Sequence, residues 1–574
     1  MQKISYFSGM KFSALGIIPR QFRRRGYVVT FTILLRALLN FIGLAALLPV
    51  LYLILDNDSI HSNRYLATLY NALGFGSDTA FVATVAGAIV VFIIVKSLIN
   101  LGLYRFERDY IYALYRYLSR NLYIDYFNRG LSFIKKSNSA VLSRNVNVVC
   151  YTFVAGVLRP LATIFSEAML FAMLFAAIAI YNTLAALLTV AIFVPSVWIY
   201  FALVRGRVNR YGDKENEAQR AKYRNVVETY RGYADIEINN AFPKMLASFD
   251  HDIDTIVYVG AKNATVSTLP QMFTEIGLAA GMALLVTLSV GLGSGDMKIL
   301  FGIFAVAALR LLPSIRSIMA AWTSLRYNRY TIEIIRSADI DKTTHTEDTT
   351  GSRFDFRDRI SVEHLSYRFD DGDRDTLHDL SFEIRRGETI GIKGRSGAGK
   401  TTLFNLLLGF YTPTAGEILI DGERLDESNR RKWQNTIGYV SQSVFLTDST
   451  ILANIALGED EETIDTDRVE KAIDMANLRE FVDSLPNGIH SRIGECGALL
   501  SGGQRQRIGI ARALYKRADV LFFDEATSSL DTQTERGIND SIRALTKHNK
   551  ELTIVIIAHR ESSLDCCDRI IEIK

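Results

Sequence analysis

Six apolar stretches, at about 27–55, 80–105, 150–181, 184–208, 265–292 and 298–325, fill most of the first 325 residues of this 574-residue chain. Each is long enough to cross a hydrocarbon layer of about 30 Å at about 1.5 Å per helical residue. A chain carrying six such stretches cannot bury them in one water-soluble core, so they predict six membrane helices. The third and fourth are separated only by Tyr181, Asn182 and Thr183, which predicts a tight hairpin at one membrane face.

Charge in the connections orients the helices, because Lys and Arg are retained on the cytoplasmic side. Residues 105–144 carry Arg105, Arg108, Arg116, Arg120, Arg129, Lys135, Lys136 and Arg144 against Glu107, Asp109 and Asp125. The connection 56–79 has Asp56, Asp58 and Asp78 against Arg64. Both chain ends are therefore expected inside. The connections 106–149 and 209–264 are long, charged and compatible with helix, so the second to fifth spans should continue into the cytoplasm as stalks. In the outer connection Leu66, Leu69, Tyr70 and Leu73 share a helical face with Ser62 as N-cap, a short amphipathic helix that either attends a lipid tail or packs on its neighbours. The turns Asn128–Asn138 and Glu228–Ile236 are candidate elements for passing motion between the stalks and whatever follows them.

Residues 339–352 are polar, rich in Thr and Asp and without apolar period, and read as a linker. Beyond about 355 the pattern becomes short β-rich runs alternating with helical ones. Val520-Leu521-Phe522-Phe523 and Thr553-Ile554-Val555-Ile556-Ile557-Ala558 are continuous apolar runs, as expected for strands buried on both faces of a sheet. The four cysteines, Cys150, Cys496, Cys566 and Cys567, lack C-x-x-C spacing and read as reduced thiols. With 65 basic against 61 acidic residues the chain has no overall pull toward nucleic acid.

Gly394-Arg395-Ser396-Gly397-Ala398-Gly399-Lys400-Thr401 matches G-x-x-x-x-G-K-[ST], after the strand-like run 388–393 and before a helix-like run that begins at Thr402. Glycines let backbone N–H groups wrap phosphates, Lys400 reaches the β/γ oxygens and the Thr401 hydroxyl ligates Mg²⁺. The buried run ending at Phe523 delivers Asp524 and Glu525 to its carboxyl end, where ligands of open α/β sheets bind. Asp524 is placed to hold Mg²⁺ and Glu525 to polarise the attacking water.

Leu500-Ser501-Gly502-Gly503-Gln504 adds a second glycine-rich turn that resembles the signature motif of ATP-binding-cassette proteins, and the resemblance covers about 355–574. It implies a membrane all-α six-helix exporter domain of the type IV exporter fold over 1–338, a linker over 339–354, and an α/β P-loop nucleotide-binding domain over 355–574. It also implies ATP and Mg²⁺ as ligands, with Gln442 as the glutamine that senses Mg²⁺, Asp531 in the D-loop, and His559 as the switch histidine. Phe369 stands where most such proteins stack a tyrosine on adenine, keeping the π face without the hydroxyl. Ser501, Gly502, Gly503 and Gln504 would cap ATP held by a partner's phosphate loop. One copy of each motif implies a homodimer, with a heteromeric partner also open. Glu525→Gln is expected to trap a closed, ATP-loaded dimer.

Arg36, Lys96, Arg159, Glu167, Glu275, Arg310 and Arg316 fall within or at the ends of the apolar spans, where charge is costly and usually faces a partner or a water-filled path. Arg36, Lys96, Glu275, Arg310 and Arg316 are the candidate substrate residues, for an anionic polar headgroup. With Ala308-Leu309-Arg310-Leu311-Leu312-Pro313-Ser314, these features look like the bacterial flippases of lipid-linked oligosaccharides, which implies residence in a bacterial inner membrane. Lys96 and Gln271 stand where arginine is expected in that group. Export of hydrophobic peptides or drugs is the alternative within transporters, and an ATP-gated channel the alternative outside them.

Overall fold

The computed structural model describes residues 18–46, 68, 70–72, 74–75, 77–181, 183–291, 294–338, 352–369, 372–395, 397–524, 532–558 and 564–573. The chain divides into two units, Met1–Thr344 and His345–Lys574. Of the expected linker, residues 339–351 lie outside the described residues.

The first unit is helical. Its long helices are α1 (Arg20–Ala45), α2 (Asp78–Asn128), α3 (Arg159–Tyr181), α4 (Thr183–Arg231), α5 (Phe242–Gly291) and α6 (Ser294–Tyr327). Each contains or overlaps one expected span, and α2, α4 and α5 extend well past theirs. Among the described residues, four helical stretches are both long and apolar enough to cross a membrane: Arg20–Gly43, Asp78–Asn128, Ser139–Ile180 and Thr189–Arg231. The side chains from 288 to 310, which cover the end of the fifth expected span and the first half of the sixth, lie outside the described residues.

Helix α2 shows how one helix serves two solvents. Val90, Val91, Ile94, Val95, Leu98 and Ile99 are 45–63% exposed, an apolar surface of the kind that a membrane or a partner subunit covers. Farther along, Leu114, Leu118, Leu122 and Tyr126 recur every four residues, all buried against Cys150, Phe153, Val157, Ile332 and Ile335. Helices α4 and α6 build a second core from Phe193, Tyr200, Val204, Val208, Leu312, Ile315, Met319 and Trp322.

Between Ser139 and α3 the chain stays helical but widens twice into π turns, Asn145–Val149 and Val154–Leu158. Pro160 follows directly. Lacking an N–H, it cannot bond the carbonyl of Gly156, and the Ser324 hydroxyl of α6 donates there instead at 3.2 Å. Gly156 permits that approach, since a Cβ there would lie 2.4 Å from Asn328 Nδ2. Of the outer amphipathic helix, Ser62, Leu66, Leu69 and Leu73 lie outside the described residues, while Tyr70 is helical and packs its ring on Phe75 and Phe81 at 6.2 and 5.3 Å.

The second unit holds two sheets. An antiparallel sheet is ordered β2 (Leu377–Arg385), β1 (Arg359–Tyr367), β4 (Ala415–Ile420) and β5 (Glu423–Arg424). A parallel sheet is ordered β6 (Ile437–Val440), β7 (Val520–Asp524), β8 (Thr553–Ile557), β3 (Thr389–Gly394) and β9 (Arg569–Ile573). Every residue of β7 and β8 is buried, as both continuous apolar runs require. Helices α7 (Lys400–Leu407), α8 (Gly502–Tyr515) and α9 (Thr532–His548) complete the elements that carry motifs.

Candidate functional site

Strand β3 ends at Gly394 and helix α7 begins at Lys400, so the glycine-rich motif forms the strand-to-helix turn at the carboxyl edge of the parallel sheet. Gly397 and Gly399 have φ of +85° and +88°, left-handed conformations that a side chain would strain. Space demands glycine as well. A Cβ at Gly394 would sit 2.6 Å from the Ile573 carbonyl oxygen, and one at Gly399 would sit 2.7 Å from Leu377 Cδ2. Lys400 is 5% exposed, and its Nζ donates to the carbonyls of Gly394 and Arg395 at 2.9 and 3.1 Å. The ammonium is thus held over the loop by neutral acceptors, a cradle that fits an anionic ligand. Thr401 is exposed and Thr402 buried at the start of α7; Ala398 closes the turn by donating to Arg395; Ser396 lies outside the described residues.

Strand β7 carries Asp524 to the same sheet edge, two strands from β3. Asp524 is buried, and the Tyr439 hydroxyl donates to its Oδ2 at 3.3 Å. Partial burial, the Asp524 charge and this hydrogen bond push the Tyr439 phenol well above its ordinary range, so it remains a donor. The carboxylate near the turn is the donor type that a hard divalent cation requires, so Asp524 and the Thr401 hydroxyl fit Mg²⁺. Glu525, Asp531 and His559 lie outside the described residues.

Gln442 follows β6 with an exposed side chain, and its backbone carbonyl accepts from buried Gln506 Nε2 at 3.0 Å. The signature turn is a capping box. Ser501 Oγ accepts from Gln504 N at 3.2 Å, and Gln504 Oε1 accepts from Ser501 N at 2.7 Å. Gly502 and Gly503 occupy the first turn of α8 between them. Phe369 is half-buried, edge-on to Tyr367 and Tyr411 at 5.0 and 5.8 Å, so three rings form one cluster. Tyr439, Gln506 and Tyr411 were not legible as site residues in the sequence. Each acts through a neighbour on a different element, and no local spacing announces that.

In the helical unit three of the five candidate substrate residues, Arg36, Glu275 and Arg316, are already partnered. Arg36 pairs with Glu107 at 3.1 Å and lies 5.9 Å from the centre of the Tyr104 ring, whose hydroxyl accepts from Arg159 at 3.1 Å. Glu107, which the sequence places in the connection, thus supplies a counter-charge to Arg36 of the first span. Arg316 donates to Thr274 Oγ1 at 2.7 Å and lies 3.7 Å from Glu275, which accepts from Gln271 at 2.9 Å. Half-buried Lys96 lies against Gly43, where a Cβ would meet its Nζ at 2.8 Å. The Arg310 side chain is outside the described residues.

Residues 377–528 match the family model described as "ABC transporter". An ATP-dependent lipid A-core flippase of Burkholderia pseudomallei (strain 1710b) is 33% identical over 389 residues, 67% of this chain and 64% of the relative. The flippase of the same name from Bordetella avium (strain 197N) is 46% identical over 215 residues, 38% of this chain and 36% of the relative. The chain therefore spans just under two thirds of the length of the first of these relatives. Among solved structures, a bacterial Atm1-family ABC exporter with ATP bound superposes with a TM-score of 0.74 at 23% identity, covering 96% of this chain and 93% of that one.

Proposed function

The chain belongs to the ABC transporters and has the fold of their exporters, and from that premise we propose that it hydrolyses ATP to move a polar-headed lipid from the cytoplasmic to the outer side of a bacterial inner membrane. The observation that carries the lipid is its likeness to relatives named for flipping lipid A-core. The polar cluster of Gln271, Thr274, Glu275 and Arg316 across α5 and α6 gives an anionic headgroup both donors and a counter-charge. A lipid-linked oligosaccharide is the specific cargo we propose.

The nucleotide roles follow from the residues. The loop 394–399 and Lys400 would hold the phosphates of ATP, Lys400 exchanging two backbone carbonyls for phosphate oxygens. Thr401, Asp524 and Gln442 would hold Mg²⁺, which neutralises charge on the phosphates when bound. Glu525 orients and polarises the attacking water, and His559 and Asp531 complete the site. Phe369 offers its ring to the base. Since the chain has one phosphate loop and one signature turn, two complete sites call for two copies, with Ser501 to Gln504 of each closing over the other's nucleotide. Residues 1–338 act as the membrane domain and 355–574 as the nucleotide-binding domain, with both chain ends cytoplasmic. The short helices Gly130–Lys136 and Tyr233–Ile238, at the turns ending α2 and α4, are the elements through which closure reaches the stalks.

Reconstitution into vesicles tests the cargo. ATP should move a labelled lipid-linked oligosaccharide across the bilayer, and Glu525→Gln should stop it. Transport of hydrophobic peptides with none of the lipid would overturn the lipid assignment while leaving the ATPase intact. Ion current during ATP occupancy without turnover would overturn both.

A further inference from the structure

The N-terminal turns of α1 and the stalk part of α2 border a cleft of about 410 Å³ lined by Gln21, Phe22, Arg25, Ala113, Arg116, Tyr117 and Arg120. Ala113, Arg116, Tyr117 and Arg120 recur at i, i+3, i+4 and i+7, so one face of α2 looks across at α1. The ring of Phe22 packs on Tyr117 at 5.2 Å and on Tyr110 at 6.1 Å, fixing the apolar wall. The Tyr110 hydroxyl donates to the Phe22 carbonyl at 3.4 Å. Three guanidinium groups rim the cleft, and among the described residues no carboxylate lines it. The nearest acids in sequence on α2 are occupied: Asp125 pairs with Arg129, Asp109 with Arg108 and Glu107 with Arg36. Arg25, Arg116 and Arg120 have no ion-pair or hydrogen-bond partner among the described residues.

Depth selects the ligand. Gln21 to Arg25 precede the expected start of the first span by two to six residues at about 1.5 Å each, while Arg116 and Arg120 stand 11 and 15 residues past the expected end of the second, so the cleft opens at the cytoplasmic edge of the headgroup layer. On the membrane side of Arg25, Tyr27, Val28 and Phe31 are 74%, 49% and 63% exposed, an apolar surface continuing from the basic rim. A soluble anion would use the rim alone, whereas a lipid phosphate would use the rim for its headgroup and the exposed α1 surface for its chains. We propose that this cleft binds the phosphodiester headgroup of an anionic glycerophospholipid, as a resident lipid separate from the cargo, clamped by Arg25, Arg116 and Arg120 in the forked geometry that guanidinium offers phosphate.

The test uses the purified full chain in phosphatidylcholine nanodiscs with trace spin-labelled phosphatidylglycerol or phosphatidylcholine, reading the motionally restricted fraction by electron paramagnetic resonance. Each arginine at an anionic headgroup is worth up to about fivefold, reduced by salt. The variant R25Q/R116Q/R120Q should lose preference for phosphatidylglycerol at least about fivefold. R20Q/R23Q/R24Q removes equal charge from the same helix end but outside the cleft, and should lose less than about twofold. Equal losses in the two triples would reduce the effect to a diffuse field and overturn the clamp, as would no loss in the first. If the first triple fails to give a monodisperse protein, R116Q alone carries the test, with a loss of about threefold expected and an unchanged preference overturning the proposal. Inorganic phosphate at matched ionic strength should leave the restricted fraction unchanged; selective displacement would make the occupant a soluble anion and overturn the lipid assignment.

Discussion

Lys400 and Arg36 are both enclosed cations, and the two units neutralise them differently. Lys400 is held by two backbone carbonyls of its own loop, five and six residues away, with no carboxylate partner among the described residues. Arg36 is held by Glu107, a carboxylate on another helix. A cation held only by neutral acceptors retains its full charge for an incoming anion. One that already has a buried counter-ion must lose it before it can bind anything else. Lys400 is thus poised for phosphate, and Arg36 is better described as a clamp between α1 and α2. Arg316 is intermediate, since its Glu275 partner is 3.7 Å away and 58% exposed.

The largest effect should come from the nucleotide site. Glu525→Gln is expected to reduce ATP hydrolysis at least about 10²-fold while ATP binding persists, the usual cost of losing a positioned base. Lys400→Ala should abolish binding as well. Phosphate release and retention of a fluorescent ATP analogue separate the two outcomes. If Glu525→Gln kept normal turnover, another group would be the base and the chemistry would not lie at the end of β7.

Next is the clamp. Arg36→Gln leaves Glu107, whose side chain is 8% exposed, without its counter-ion, and Glu107→Gln does the reverse. Each single change should lower stability by about 2 kcal/mol, less than for a fully dry pair because Arg36 is 23% exposed, and the double variant should regain most of it. Thermal unfolding in detergent measures the cycle. A cargo-binding Arg36 gives another pattern, in which Arg36→Gln raises the KM for lipid and Glu107→Gln lowers it at unchanged stability.

These two regions also differ in how far the sequence discloses them. The phosphate loop is legible because its glycines, Lys400 and Thr401 are contiguous, and the strand before and helix after it follow from local pattern. Asp524 is legible because a run of apolar residues long enough to be a buried strand must end where ligands bind. The six apolar stretches are legible from length alone. The register between helices is not, so Glu107 reads as part of a charged connection until α2 is seen packed on α1. The Ser324 bond to the Gly156 carbonyl is hidden for the same reason. Pro160 shows that an acceptor is freed, but not which helix supplies the donor.

A smaller effect tests the aromatic cluster. Phe369→Ala should weaken ATP binding by about 1–3 kcal/mol, the range for losing one base-stacking ring. Phe369→Tyr should change it by less than about 0.5 kcal/mol, because the π face is kept. Titration with a fluorescent nucleotide checks both. An unaffected Phe369→Ala would move the base to Tyr367 or Tyr411, the other rings of the cluster.

The smallest effect concerns Tyr439, the donor to Asp524 on the neighbouring strand. Tyr439 is 38% exposed while its hydroxyl donates to the buried carboxylate, so the bond orients Asp524. Tyr439→Phe should raise the Mg²⁺ concentration for half-maximal hydrolysis by only about two- to fivefold, or about 0.5–1 kcal/mol, the low end for one hydrogen bond, in keeping with its 3.3 Å length. The pH dependence has a definite sign. Partial burial and the Asp524 charge raise the phenol's pKa in the folded protein above its unfolded value near 10. Its contribution to stability is therefore complete below pH 10 and is lost as pH rises through the folded value. Up to pH 10 the half-maximal Mg²⁺ concentration should show no tyrosine-dependent step in the wild-type protein. A step that disappears in Tyr439→Phe would mean that the phenol ionises in its ordinary range and that the hydrogen bond to Asp524 does not form in solution.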